Sequence, residues 1–327
     1  METTVRILAV DDDPIILELL TQFVAAIGVH ELTTAESGPQ ALDILKTPGI
    51  APFDCFMLDI QMPQMDGIEL TKHIRDMARY ADTPVLMVTA MADKRYIDAA
   101  FAAGATDYVT KPFEVNELRA RVGMVEKLAA TRQMRTKKIF AAKSTAEVPQ
   151  TLELHEPLSV YDVDNVIDFI SMENYVAQLS RNALFGSTAF AFSVRGIENF
   201  HKTLNAFEFN GLISDVAEVL SDTLSGHQFL MSYGGDGTFV CVTESGWRPD
   251  PERLMDDVNL ALSRMEMFNN AGEPLEPRVS TGDAVRMTWK TGNAIMDTLG
   301  EAHASAKEAA LKYERNRHDF WLTEQRA

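Results

Sequence analysis

The sequence predicts two α/β domains, the first a doubly wound parallel sheet, and three observations carry that prediction. Five apolar runs alternate with five helix-like stretches over residues 1–125. Polar residues gather where those runs end, the edge at which open α/β sheets carry their reactive groups. A composition shift follows: residues 126–150 hold six basic and two acidic side chains in a chain of net charge −18, and such a shift is where a linker falls. The 327 residues suffice for two cores. We place domains at 1–125 and 160–327, with a helical basic linker and hinge at 126–159.

The first strand, Val5 to Val10, ends in Asp11, Asp12 and Asp13. Asp13 suits a helix N-cap and Pro14 the first helical position, and the helix turns Ile15, Leu19, Leu20 and Phe23 inward until Gly28. A short strand near His30 to Thr33 leads to a helix from about Pro39 to Lys46. Phe53 to Asp59 holds five apolar residues in seven, the pattern of a strand buried on both faces. It delivers Asp59 into a loop that Met62, Pro63, Asp66 and Gly67 break before a helix from about Gly67 to Tyr80. Thr83 to Ala90 is a fourth strand, Asp93 to Ala103 a helix closed by Gly104, and ATDYVTKPF a fifth strand with a helix starting at Glu114.

The strand ends supply Asp11, Asp12, Asp59, Thr89 and Lys111, which should meet on one edge. Three converging carboxylates repel one another unless a hard cation sits among them, and oxygen ligands favour Mg²⁺. A lysine and a threonine hydroxyl add a cation and a donor for an incoming anion. That set suits phosphoryl transfer to a carboxylate, with Asp59 as the attacking group.

These motifs, in this order and at these spacings, resemble the receiver domain of two-component response regulators, a (βα)5 flavodoxin-like fold, over all of 1–125. The resemblance rests on Asp11 with Asp12, the DIQMPQMDG loop, Thr89 followed by Ala90, and Lys111 followed by Pro112. It implies that Asp59 is the phosphoacceptor and that Asp12, Asp59 and the Gln61 carbonyl bind Mg²⁺ directly. Asp11 would act through water, and Lys111 and Thr89 would hold the phosphoryl oxygens. Tyr108 would be the aromatic that swings inward once Thr89 is drawn to the phosphate. A sensor histidine kinase or a phosphotransfer protein is the implied donor.

From Glu114 to about Ala142 the only Gly or Pro is Gly123. Leu118, Val122, Val125, Ala129, Arg132 and Ile139 approximate an a/d repeat. The last receiver helix is expected to run on, either pairing with a second chain as a homodimer or lying solvated. Lys143 to Pro157 reads as a hinge. The acidic balance argues against nucleic acid and anionic membranes as partners, and no run approaches the ~20 apolar residues needed to span a bilayer. The start of the chain lacks a basic segment followed by an apolar stretch, and Cys55 and Cys241 lie in apolar runs, so a reduced, cytoplasmic location is expected.

In the second half, Ser232 to Val242 reads SYGGDGTFVCV, two strands joined by a Gly-Gly turn with an acid at its tip. Upstream are an alternating strand, Thr188 to Val194, then GIENF and a long helix to about Leu224. Downstream are a helix from Pro251 to Phe268, a strand in PRVSTGDAV and a helix from about Ala294. This order resembles the GGDEF domain of diguanylate cyclases, which implies an α/β, palm-like fold around a mainly antiparallel sheet. Gly234, Gly235 and Asp236 match its signature, and Lys307 its late phosphate-binding lysine.

The departures from that family bear on activity. Gly237 and Thr238 stand where the signature has Glu-Phe, and Gly196 and Glu198 where it has Asp-x-Asp. Leu204 and Asn205 replace the guanine-contacting Asn and Asp, and VIDFISM replaces its early segment. About four additional residues separate Lys307 from Arg315–Arg317, and Ser225 to Gln228 replaces its feedback Arg-x-x-Asp. Joining two GTP molecules requires two metal ions held by carboxylates, and Asp236 alone remains of the acidic set. The expectation is a retained fold that has lost its reaction, with output through an unknown protein partner. A cyclase with a non-standard site, or a non-catalytic sensor of GTP or cyclic di-GMP, are the alternatives.

Overall fold

A computed structural model describes residues 4–28, 30–90, 93–125, 127–128, 153–179, 186–243, 246–287 and 293–324. The chain divides into two compact units, Met1–Glu147 and Val148–Ala327. Most of the expected linker, residues 129–152, lies outside the described residues, and with it the expected a/d helix beyond residue 128 and most of the hinge.

The first unit alternates β1 (Arg6–Val10), α1 (Pro14–Ile27), β2 (Glu31–Ala35), α2 (Gly38–Lys46), β3 (Cys55–Leu58), α3 (Gly67–Arg75), β4 (Val85–Thr89), α4 (Lys94–Ala102) and β5 (Asp107–Thr110). A helix α5 follows at residues 115–125. The strands pair in parallel in the order β2-β1-β3-β4-β5, the doubly wound order whose switch point lies between β1 and β3. Both faces are covered, which is why β3 and β4 are buried throughout. Alternation sends Ile7, Ala9, Cys55, Met57, Leu86, Val88 and Val109 into one core with Leu17, Leu20 and Val24 of α1 and Leu118, Val122 and Val125 of α5.

Capping residues set where these helices begin. Asp13 accepts from the Ile15 amide, Ser37 from Gln40 and Asp66 from Glu69, each satisfying an orphan donor of the first turn. The helix expected to reach Tyr80 stops at Arg75. The Arg75 guanidinium turns away to donate to the carbonyls of Tyr80, Thr83 and Gly104. Those bonds hold residues 76–83 as irregular chain in place of further helix turns.

The second unit contains α6 (Phe169–Gln178), β6 (Thr188–Val194), α7 (Ile197–Thr203), α8 (Ala206–Leu224), β7 (Phe229–Tyr233), β8 (Thr238–Thr243), α9 (Pro251–Arg264), β9 (Met267–Phe268), β10 (Pro274–Leu275), β11 (Val279–Thr281), β12 (Val285–Arg286) and α10 (Asn293–Glu324). Its main sheet is antiparallel in the order β11-β6-β8-β7, with β12 also on β6. One face buries Phe190, Phe192, Val194, Phe229, Met231, Tyr233 and Phe239 under α8 and α9. Helix α10 packs against β6 and β11 with Ala302, Ala306 and Ala310 buried. A Cβ on Gly282 would lie 2.4 Å from the Ala306 amide nitrogen, so glycine is what lets the helix come this close.

Two expected helices are shorter here. The stretch to Leu224 is broken at Leu204 and Asn205, because Asn205 accepts from the Phe207 and Glu208 amides while the Glu208 carboxylate accepts from the Asn205 amide. That reciprocal cap starts a new helix. The helix expected to reach Phe268 ends at Arg264, and Met267 and Phe268 instead pair with Leu275 and Pro274 in a small hairpin. The Asn269 side chain closes its turn by accepting from Ala271 and Glu273. Among the described residues no helix is long and apolar enough to cross a membrane.

Candidate functional site

Three backbone ladders of the first sheet run one residue beyond their strands, and that overrun assembles the site. Asp11 donates its amide to Ala35, Asp59 to Val10 and Lys111 to Thr89, at 3.2, 2.9 and 2.8 Å. The first residues past β1 and β3 therefore lie side by side at the switch point, and Lys111, past β5 on the same carboxyl edge, reaches them with its side chain.

Asp11 and Asp59 are 1 % and 5 % exposed, and Asp12 is exposed. One carboxylate oxygen from each of the three lies within 4.8 Å of the others. The Lys111 ammonium bridges two of them, 2.5 Å from Asp11 Oδ2 and 3.1 Å from Asp59 Oδ1. Asp11 Oδ1 also accepts from the Asp13 amide at 3.0 Å. Burial raises the Asp11 pKa above its ordinary value; the hydrogen bond from Lys111 and the Asp13 amide oppose this, and the Asp59 charge adds to it. Desolvation thus outweighs the ion pair, and one ammonium leaves the three acids short of positive charge. A small divalent cation with oxygen ligands fits that deficit. The structure brings together the expected ligands Asp11, Asp12 and Asp59; Gln61 follows two residues later on the exposed loop.

The loop after Asp59 is held over the site by a close approach that motif reading alone did not anticipate. The Gly67 amide donates to Ile60 at 3.0 Å, and a Cβ at residue 67 would sit 2.1 Å from the Asp59 carbonyl oxygen. Gly67 is therefore needed for proximity as well as for starting α3 after Asp66. Thr89 is fully buried at the end of β4, and the Lys111–Pro112 peptide bond is cis. Tyr108, expected to swing inward, is 4 % exposed, and burial raises its hydroxyl pKa. Its ring occupies a buried position on the β4–β5 edge, in register with Met87.

The motifs also gave no sign of a buried ion pair. Asp107 is fully buried at the start of β5 and meets Arg121 of α5 at 2.7 Å, with its other oxygen accepting from the Tyr108 amide. Nothing in the spacing of an acid on a strand and an arginine on the following helix announces such a pair.

At the tip of the β7–β8 hairpin, Gly235, Asp236 and Gly237 all have positive φ. The Asp236 carboxylate meets Lys307 of α10 at 2.6 Å. Gly234 donates to the Thr238 carbonyl and Gly237 to the Tyr233 hydroxyl, at 2.8 and 3.0 Å. A Cβ on Gly234 would approach His303 and Phe169 at 3.1 and 3.2 Å, and the Thr238 hydroxyl bonds Ser193. At the end of β6, the Gly196 amide donates to the Glu314 carboxylate. The predicted residues of this second locus do come together, but largely on one another.

Comparison with known proteins agrees with the geometry of the first unit. Residues 7–123 match the response regulator receiver domain family. The transcriptional regulatory protein KdpE of Staphylococcus aureus is 34 % identical over 128 residues, 39 % of this chain and 52 % of that protein. The DNA-binding dual master transcriptional regulator RpaA of Synechocystis is 40 % identical over 119 residues, 36 % of this chain and 47 % of that one. A solved structure of the chemotaxis response regulator CheY4 of Vibrio cholerae is 32 % identical, over 38 % of this chain and 99 % of that one, with a TM-score of 0.35. The chain spans about half the length of the curated relatives it matches. An intact acidic trio bridged by lysine at the switch point and the family match over the same residues lead to one conclusion: the N-terminal unit is a response regulator receiver domain.

Proposed function

We propose that this protein is a phosphorylation-dependent response regulator in which Asp59 accepts a phosphoryl group from a sensor histidine kinase or a phosphotransfer protein. In that reading the C-terminal unit is a GGDEF-like domain without cyclase activity that signals by binding another protein. The observation that carries the first part is the Lys111 ammonium lying between Asp11 and Asp59 at 2.5 and 3.1 Å.

One Asp59 oxygen forms the new bond to phosphorus while the bond from phosphorus to the donor's leaving group breaks. Asp11, Asp12 and Asp59, with the Gln61 carbonyl, would hold Mg²⁺, which when bound neutralises charge on the transferred oxygens. Lys111 is already within reach of that region and can move from the carboxylate to a phosphoryl oxygen. Thr89, at the end of the neighbouring strand, supplies the hydroxyl whose displacement the buried Tyr108 would register.

For the C-terminal unit, two features support a non-catalytic role. Gly196 and Gly237 offer no carboxylate where the cyclase-like pattern needs one. Lys307 is neutralised by Asp236 at 2.6 Å. Incubating the full chain with Mg²⁺ and GTP should yield no cyclic dinucleotide. Product formation that Asp236→Ala abolishes would overturn this part of the reading.

A further inference from the structure

The tip of the β7–β8 hairpin is occupied by the unit's own entry segment. The Asp236 amide donates to the Leu154 carbonyl at 2.7 Å. A Cβ on Gly235 would lie 2.3 Å from the His155 carbonyl oxygen and 2.7 Å from its carbon. The segment turns as it crosses, with the Glu156 amide donating to Glu153 at 3.0 Å, so that successive carbonyls of Leu154 and His155 face the tip. Leu154 and Leu158, four residues apart, pack against the core below, while His155, Glu156 and Pro157 remain exposed. The contact is a short strap: one backbone hydrogen bond, one glycine-dependent close approach and two leucines in an apolar seat.

The glycine at 235 is thus demanded by a chain segment lying against it, beyond the turn's need for positive φ. Gly272 provides the contrast, with φ of 76° against 85° at Gly235 but no atom within 4 Å of a would-be Cβ. A surface that holds a turn carrying leucines four apart through backbone contacts can hold a similar turn from another chain.

We infer that the hairpin tip and the apolar seat beside it form a peptide-binding site, filled in cis by residues 153–158, and that the output partner is a protein segment of the same chemistry that displaces this strap. The partner segment presents a turn with two leucines four apart and exposed polar or proline residues between them. The inference takes from the proposed function only that output is by protein contact. A tethered strap competes at a high effective concentration, of order millimolar for a short flexible tether, so an intact chain should resist a free peptide.

The test uses the unphosphorylated full chain and a fluorescent peptide spanning residues 150–161. Wild type should bind the peptide weakly, and the strap variant Leu154→Asp/Leu158→Asp at least about tenfold more tightly. Adding Gly235→Ala to the strap variant should remove that gain. A second readout does not depend on how the strap variant folds: hydrogen exchange at the Asp236 amide should accelerate in Gly235→Ala and stay at the wild-type rate in Gly272→Ala. Equal peptide binding by wild type and a folded strap variant, or an Asp236 amide no less protected in Gly235→Ala than in Gly272→Ala, would overturn the inference. No arm requires Asp59 to be modified, so failure of the phosphorylation reading would leave these results standing, and the reverse.

Discussion

Lys111 is placed between Asp11 and Asp59, so at the residue scale the site balances three carboxylates against one ammonium. Like charges this close disfavour one another's ionised forms, and removing one should relieve the fold when no cation is bound. Asp59→Asn is expected to raise the urea midpoint of the receiver in chelator. Mg²⁺ should stabilise wild type by about 2.7 kcal/mol at a hundredfold excess over its dissociation constant, and stabilise Asp59→Asn much less. Midpoints measured with and without Mg²⁺ check both signs, and equal Mg²⁺ stabilisation of the two proteins would remove Asp59 from the ligand set. Gly67→Ala should destabilise by about 1–3 kcal/mol and slow modification of Asp59, because its methyl would displace the Asp59 carbonyl, a backbone group with little room to yield.

At the scale of elements, two contacts act as fasteners whose removal has different consequences. Arg121→Ala removes the guanidinium that meets the buried Asp107 carboxylate at 2.7 Å, and truncating one side of such a pair should cost about 3 kcal/mol. Truncating Asn205 to Ala removes one half of an exposed capping box and should cost about 1 kcal/mol. Chemical denaturation of the two variants should rank them in that order. The elements themselves were largely readable from sequence where a chemical signal marked their ends. The starts expected after Asp13, near Pro39 and near Gly67 agree with the structure within a residue, and the apolar run ending at Asp59 announced a strand covered on both faces. The ends of α3 and α9 were misread because apolar spacing continues past them. What stops these helices lies elsewhere, in the carbonyls that recruit Arg75 and in the pairing of Met267 and Phe268 with Pro274 and Leu275. The break at Asn205 did carry a local signal, an Asn followed three residues later by Glu, that the apolar pattern around it concealed.

At the scale of the whole molecule, the two units carry unequal amounts of chemistry. In the first, residues far apart in sequence meet because parallel ladders overrun β1, β3 and β5 by one residue, a consequence of the strand order that motif spacing already implied. In the second, Gly234, Gly235 and Asp236 were readable as a turn, but the strap over them was not. Its contact depends on backbone carbonyls at Leu154 and His155, which no side-chain pattern reports. Phosphorylation adds roughly −1.5 to −2 charge at an already acidic edge, so the modified state should persist only with the cation and Lys111 in place.

The measurement that bears most directly on this account is intact-mass analysis of the full chain treated with a small phosphodonor such as acetyl phosphate, in Mg²⁺ and in chelator, for wild type and Asp59→Ala. The account predicts a single added phosphoryl group on wild type in Mg²⁺, little in chelator, and none on Asp59→Ala. Labelling of Asp59→Ala to the wild-type extent would contradict it.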